Sequence, residues 1–296
     1  MKSDVLAIVI NYQGYEDTKK CIDYCLLSSY RMDILVIDNG SDKDVYKLRL
    51  IDNITLIENS TNIGFGSANN IGIRYAKEHK YKYCLFINND TLADRYMLEN
   101  MMHFASEDTC VVPLIFYDSN HNKVWYAGGK IDRFRGGAYH YGLRMDVNKL
   151  NLSTKECNFA TGCCLLISTD TIYKMGGFPD SYFMYVEDVE LSINIEKQGN
   201  KVLFVPDAKL FHKVGGSSGG ELSPISVYYS MRNRLYLVEK CKDYFYITAK
   251  LYLVTMIIIK MSICFLLGDR LYKYYIMAIK DYKAGIIGFK EMGDNG

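Results

Sequence analysis

The sequence predicts an α/β protein: a mainly parallel sheet flanked by helices, followed by a helical C-terminal region. Three observations carry that reading. Compact apolar runs rich in β-branched residues alternate with helix-spaced segments through residue 117. The runs are apolar throughout, as in strands covered on both faces. Beyond Ile225 the chain turns helical and tyrosine-rich.

The elements follow in order. VLAIVINY (5–12) is the first strand; its apolar run is short and preceded by Asp4, so it is not a signal peptide. Residues 16–29 place Cys21, Cys25 and Leu26 on one helical face. DILVIDN (33–39) and ITLIENS (54–60) are the second and third strands, and a helix is expected from Ser67 to Glu78. YCLFINND (83–90) is a strand, 94–104 a helix and TCVVPLIFY (109–117) a strand. After residue 120, VWYAGGKID and FRGGAYHYG read as loops or short hairpins. NFATGCCLLIS (158–168) reads as a buried strand, 170–175 as a short helix and KVLFVPDAKLFH (201–212) as a strand. GGSSGG (215–220) is a flexible loop.

Composition narrows the class. Apolar residues make up 49% and charged residues 23%, with four prolines, which excludes long disorder. The nine cysteines form no C-x-x-C pair or zinc spacing, so buried free thiols in a reducing cytosol are expected. The net charge is +1, yet Arg232–Lys290 holds eleven Lys/Arg against four Asp/Glu. A basic C-terminal region implies an anionic neighbour.

Parallel sheets bind ligands at the carboxyl ends of their strands. Three strands end there in polar groups: Asn11 and Tyr12, Asp38 and Asn39, and Asn88–Asp90. Each alone is ordinary turn chemistry; together they predict a site. A second cluster is YFMYVEDVELS (182–192), with Glu187, Asp188 and Glu190 at a helix N-terminus. Acids complement a helix dipole there. At 100° per residue Glu187 and Glu190 share a face and Asp188 points elsewhere.

The ordered set IVINYQ, VIDNGSD, NIGFGSANNIG, FINNDT, GGFPDSYFMYVEDVELS, VPDAKLFH with GGSS, and YYSMRNRLYL resembles glycosyltransferase family two, in particular its rhamnosyltransferase-like branch. The resemblance implies a GT-A fold, that of the Rossmann-like nucleotide-diphospho-sugar transferases. It also implies a dTDP- or UDP-sugar donor, a Mn or Mg ion, and inverting transfer to a glycan or lipid-linked acceptor in bacterial surface polysaccharide synthesis. The domains are then a catalytic unit over 1–222, with a nucleotide-binding half (1–118) and an acceptor half (119–222), and a helical region over 223–296.

Residue by residue, the resemblance assigns donor contacts to Asn11, Tyr12, Asp38, Asn39, Gly64, Asn69, Asn70, Asn88, Asn89 and Arg232. NIGFGSANNIG is not a dinucleotide motif, because Asn69 stands at its third glycine position. FINNDT stands where the family carries D-x-D, with Asn88 in the first position, leaving Asp90 as the charged metal ligand and His212 as the second. The GGSS loop is expected to fold over the diphosphate. The E-D motif makes Asp188 the base and places Glu187 beside the acceptor, with Glu190 as helix support. The helix terminus lowers these pKa values; burial against Tyr182, Phe183 and Tyr185 opposes that. An Arg often follows the motif in the family, where this chain has Ser192-Ile193-Asn194.

The C-terminal YITAKLYLVTMIIIKMSICFLLG (246–268) is interrupted by Lys250 and Lys260. It reads as an interfacial helix with basic flanks rather than a span; packing on the core or a homodimer contact is the other reading. A cytoplasmic protein at the inner face of the cell membrane is expected, with no nucleic-acid partner. The rival enzyme class, a nucleotidyltransferase, wants a glycine-rich loop with Arg and Lys after the first strand, which INYQGYEDTKK lacks. A non-catalytic sugar-nucleotide-binding scaffold is the non-enzyme alternative. UDP-hexoses and galactofuranose are the alternatives to a rhamnose donor.

Overall fold

The computed structural model describes residues 2–214 and 223–292; the GGSSGG segment lies outside the described residues. Its first half is regular: β1 (Val5–Asn11), α1 (Tyr15–Leu26), β2 (Asp33–Asp38), α2 (Val45–Leu48), β3 (Ile54–Glu58), α3 (Phe65–Glu78), β4 (Tyr83–Ile87), β5 (Thr91–Ala93), α4 (Met97–Met102) and β6 (Thr109–Tyr117). β7 (Asn120–Tyr126), β8 (Gly129–Asp132), β9 (Gly137–His140), β10 (Lys155–Cys157), β11 (Cys164–Ser168), α5 (Thr169–Lys174), α6 (Glu187–Lys197) and β12 (Lys201–His212) follow. Three helices end the chain: α7 (Pro224–Lys240), α8 (Ile247–Leu266) and α9 (Tyr272–Lys283).

The main sheet runs β10-β12-β6-β11-β4-β1-β2-β3, with β5 on β12 and β7 on β6. β4-β1-β2-β3 is parallel, as the buried apolar runs require. β11 enters antiparallel between β4 and β6, so the sheet is mixed beyond β4. Apolar runs do not distinguish direction. The 158–168 segment is a strand only from Cys164, because residues 160–163 turn toward the site instead. Helix α1 buries Thr18, Cys21, Ile22 and Cys25, three to four residues apart.

β12 runs parallel to β6 with a register shift between Val205 and Lys209. Pro206 sits in that shift; lacking an N–H, proline is confined to edges and bulges. Beyond the shift β12 also pairs antiparallel with β5, which sets His212 opposite Thr91. All nine cysteines are free and seven are buried.

α7 and α9 pack together: Tyr228 Oη donates to Asp281 Oδ2 at 2.6 Å, and Lys290 Nζ does so at 2.5 Å. α8 is different. It buries only Ala249, Leu253 and Ile257, and its 20 residues have mean hydropathy 1.9. By length and composition it is apolar enough to cross a membrane. Of the two lysines that interrupt its sequence, Lys250 turns aside to pair with Glu239 and Lys260 is exposed.

Candidate active site

At the carboxyl ends of β1 and β2, one polar network is built from three segments. Asn11 Nδ2 donates to Asp38 Oδ1 (2.6 Å) and to Ser41 Oγ (3.1 Å), and Thr18 Oγ1 donates to Asn11 Oδ1 (2.7 Å). Asp38 Oδ2 accepts from the Ser41 amide (2.9 Å). Asn11 therefore fixes Asp38, whose two oxygens each keep lone-pair capacity. Beside them the Tyr12 side chain is 42% exposed.

Asn39 turns the other way. Its Oδ1 accepts from Asn59 Nδ2 and the Ile63 amide, and its Nδ2 donates to Asn62 Oδ1 at 2.9 Å. Both ends are occupied holding the loop ahead of α3.

At the end of β4, Asp90 Oδ1 lies 3.2 Å from His212 Nε2. Neither Asp90 Oδ1 nor His212 Nδ1 has a hydrogen-bond partner, although both are buried. Burial pushes the Asp90 carboxyl up, but the neighbouring His212 outweighs it and holds the group below its ordinary value. Trp125 stands edge-on to the His212 ring at 4.6 Å, fixing its plane. Two ligands at right angles on a Mn or Mg ion, each ~2.1 Å from it, sit ~3 Å apart. The Asp90 Oδ1–His212 Nε2 spacing fits such an ion. Among the described residues no group of three His, Cys, Asp or Glu offers more ligands; these ions bind through one or two carboxylates plus phosphate.

The acids lie across a short bridge. The Asn88 amide donates to Cys163 O (2.9 Å), while the Gly162 amide donates to Asp188 Oδ2 (3.1 Å). Residues 160–163 thus link the β4 end to the N-terminus of α6. Ser192 Oγ donates to Asp188 O (2.7 Å) and accepts from the Ala160 amide (3.0 Å), fastening α6 to that bridge. Glu187 is buried, with Oε2 unpartnered. Burial, then the adjacent Asp188 charge, pushes the Glu187 carboxyl well up; burial raises Asp188 too, partly opposed by the Gly162 amide. Desolvation wins over the helix terminus at both acids. Glu190 is held apart from them by Tyr182 Oη and Lys240 Nζ, the latter at 2.7 Å.

The chain reaches α6 through a strained turn. Phe183, Tyr185 and Val186 have φ of 67°, 64° and 79°, the left-handed region where side chains other than glycine are strained. Asn233 clasps the turn: its Nδ2 donates to the carbonyls of Tyr182 (3.0 Å), Met184 (2.7 Å) and Tyr185 (3.2 Å). The Phe65 amide donates to Phe183 O at 2.8 Å. Gly64, at φ +88°, lets the turn approach: a Cβ there would stand 2.6 Å from Phe183 O.

Several sequence expectations change here. Arg232, assigned to the donor by the resemblance, is fully buried between the Tyr228 and Tyr229 rings. Its guanidinium donates to Asn233 Oδ1, Tyr228 Oη, Tyr182 O and Gly288 O. Asn70 is consumed by Phe178, donating to its carbonyl and accepting from its amide, both at 2.8 Å. Asn69 donates to Phe65 O within its own helix. Asn39 and Gly64 are likewise scaffold, and Asn89 donates to Thr18 Oγ1. Of the donor set, Tyr12 is exposed, Asn88 half-buried and Asp38 buried.

Sequence reasoning missed Asn233, Ser41, Trp125 and Lys240. Asn233 was legible in MRNR beside Arg232, and Ser41 in the D-N-G-S turn. Lys240 answers the missing arginine, but it serves Glu190.

With this geometry in hand the comparisons are decisive. The family model described as glycosyl transferase family 2 matches residues 6–176. The chain belongs to that family. It is 24% identical over 238 residues to the low-salt glycan biosynthesis hexosyltransferase Agl10 of Haloferax volcanii, covering 79% of this chain and 75% of that one. It is 23% identical over 255 residues to the dTDP-rhamnosyl transferase RfbF of Shigella flexneri, covering 81% of each. Among solved structures, GalNAc-T7 with UDP, GalNAc and Mn2+ superposes with TM-score 0.64 at 17% identity, over 79% of this chain but only 47% of that one. That likeness shows the GT-A fold.

Proposed function

We propose that this family-2 glycosyltransferase is an inverting, divalent-cation-dependent enzyme that moves rhamnose from dTDP-rhamnose to a hydroxyl of a glycan or lipid-linked saccharide at the cytoplasmic face of the membrane. The observation that carries the reading is the buried pairing of Asp90 with His212 across residues 160–163 from the Asp188 carboxylate. The RfbF likeness supports the donor. The Agl10 likeness supports the coarser class, a hexosyltransferase.

Asp38 accepts from the nucleobase with the lone pairs that Asn11 and Ser41 leave, and Tyr12 offers a ring face to it. Asp90 and His212 would hold a Mn or Mg ion, which would supply positive charge to the leaving diphosphate. Asp188 takes the proton of the acceptor hydroxyl. Gly162 fixes one of its oxygens, and burial makes it a stronger base than an exposed carboxylate. Glu187, held up further, stays largely protonated near neutral pH and donates to the acceptor. Trp125 keeps the His212 ring in plane.

The test is nucleoside diphosphate release with dTDP-rhamnose, UDP-hexoses and UDP-galactofuranose, each with Mn2+ and an acceptor. Activity with dTDP-rhamnose that disappears with EDTA and in Asp188→Asn is expected. Full activity in Asp188→Asn overturns the base; full activity in EDTA overturns the metal pair.

A further inference from the structure

Helix α8 has two faces. Ala249, Leu253 and Ile257 recur every four residues and pack inward. Ile247, Leu251, Val254, Ile258 and Phe265 recur at helical spacing on the far side and are 39–92% exposed. At 100° per residue the two stripes are centred about 130° apart. The outward stripe carries no charge along the length of the helix. An apolar strip this long is unusual on a monomer's surface.

We infer that this strip is a membrane-surface anchor, lying in the plane of an anionic bilayer with its apolar side chains among the acyl chains. Charge selects the occupant. Lys242 and Arg270 stand at the two ends of α8, and Lys273, Lys280 and Lys283 line α9. Together with Lys260 all are exposed and make no ion pair among the described residues; of the exposed acids nearby, Glu239 and Asp243 are paired with Lys250 and Lys197, which leaves Asp269. Anionic headgroups complement such a rim. A second copy does not, since a two-fold interface sets the same cations against themselves.

The fold also decides between lying in the membrane and crossing it. Before α8, the Tyr246 amide donates to Arg133 O (3.0 Å). After it, α9 packs on α7, and the Gly288 amide donates to Ser181 O (2.8 Å) beside the acids. Both ends of α8 are tied to one body. Crossing a bilayer places them on opposite sides, so α8 lies along the surface although its length is sufficient to span.

The test is co-sedimentation of the full chain with vesicles of phosphatidylcholine alone or enriched in phosphatidylglycerol. Binding to the anionic vesicles only, weakened by salt, is expected. The double variant Leu251→Glu/Ile258→Glu should lower partitioning at least ~10-fold with unchanged circular dichroism and unchanged nucleoside diphosphate release. Tryptophan fluorescence of Ile258→Trp should be quenched best by lipids brominated near the glycerol. Undiminished binding of the double variant overturns the anchor, as does failure of the wild type to bind. Strongest quenching from the bilayer centre shows a span, and a concentration-dependent dimer broken by Leu251→Glu shows a second copy; either overturns it. The inference does not depend on the sugar: vesicle binding without turnover on any donor sinks the proposed reaction and leaves the anchor standing.

Discussion

Replacing Asn233 with alanine should damage turnover more than stability. Its amide has two hydrogens shared among three carbonyls of the turn that presents Glu187 and Asp188. At about 1 kcal/mol net per hydrogen bond, the clasp contributes about 2 kcal/mol. It opposes three left-handed residues, each strained by roughly 1–3 kcal/mol. The clasp offsets only part of that strain, so its loss falls on the geometry of the turn rather than on the core. If the held turn alone presents the base, 2 kcal/mol translates into a ~30-fold drop in kcat with KM for the donor little changed. The melting temperature should fall by only ~3 °C for a chain of this size. Asn233→Asp is the matched control: same shape, but a carboxylate facing three carbonyls, so it should do worse than alanine. Steady-state kinetics beside thermal melts read both quantities. A kcat within about twofold of wild type in Asn233→Ala, with the melt lowered as expected, refutes the idea that this clasp sets the acids.

Asp188→Asn should lower kcat ~10²–10⁴-fold, whereas Glu190→Gln, which loses only charge toward Tyr182 and Lys240, should keep most activity; initial rates separate them. Glu187 gives a pH signature. Its folded-state pKa is raised to about 8 by burial and the Asp188 charge, so the folded state binds the proton more tightly and stability falls as pH climbs from its unfolded pKa through the folded one. Glu187→Gln should therefore raise the melting temperature at about pH 9 and change it little at about pH 4; equal shifts at both refute the assignment. Mn2+ with nucleoside diphosphate should raise the wild-type melting temperature and not that of Asp90→Asn/His212→Ala. Gly64→Ala should lower both stability and kcat, because its Cβ would meet the Phe183 carbonyl; unaltered kcat argues that the turn adjusts freely.

The parallel half of the fold was legible because apolar runs, helical spacing and polar strand ends are all local signals. Direction was not: β11 is as apolar as β4 yet runs against it, and nothing in a single run records its neighbour's polarity. In the site, residue types at strand ends were legible, but their duties were not. Asn11 and Asn39 follow similar apolar runs, and only the loops that close over them show that one fixes Asp38 while the other holds residues 59–63. Arg232 illustrates the limit best. An arginine near a phosphate site suggests an anion, yet here four hydrogen bonds are spent on an amide oxygen, a phenol and two carbonyls, brought from three parts of the chain.

The contact between Gly288 and Ser181 has a consequence in time. During synthesis, residue 288 emerges about a hundred positions after the acids, some 5–20 s later at ordinary elongation rates. The parallel sheet has its strands by then and is free to form. The turn bearing Glu187 and Asp188 does not yet have Asn233, Arg232 or the returning segment to hold it. A nascent chain therefore acquires its parallel sheet before the turn bearing Glu187 and Asp188 is ordered, and a ribosome paused between β12 and α9 displays the first without the second.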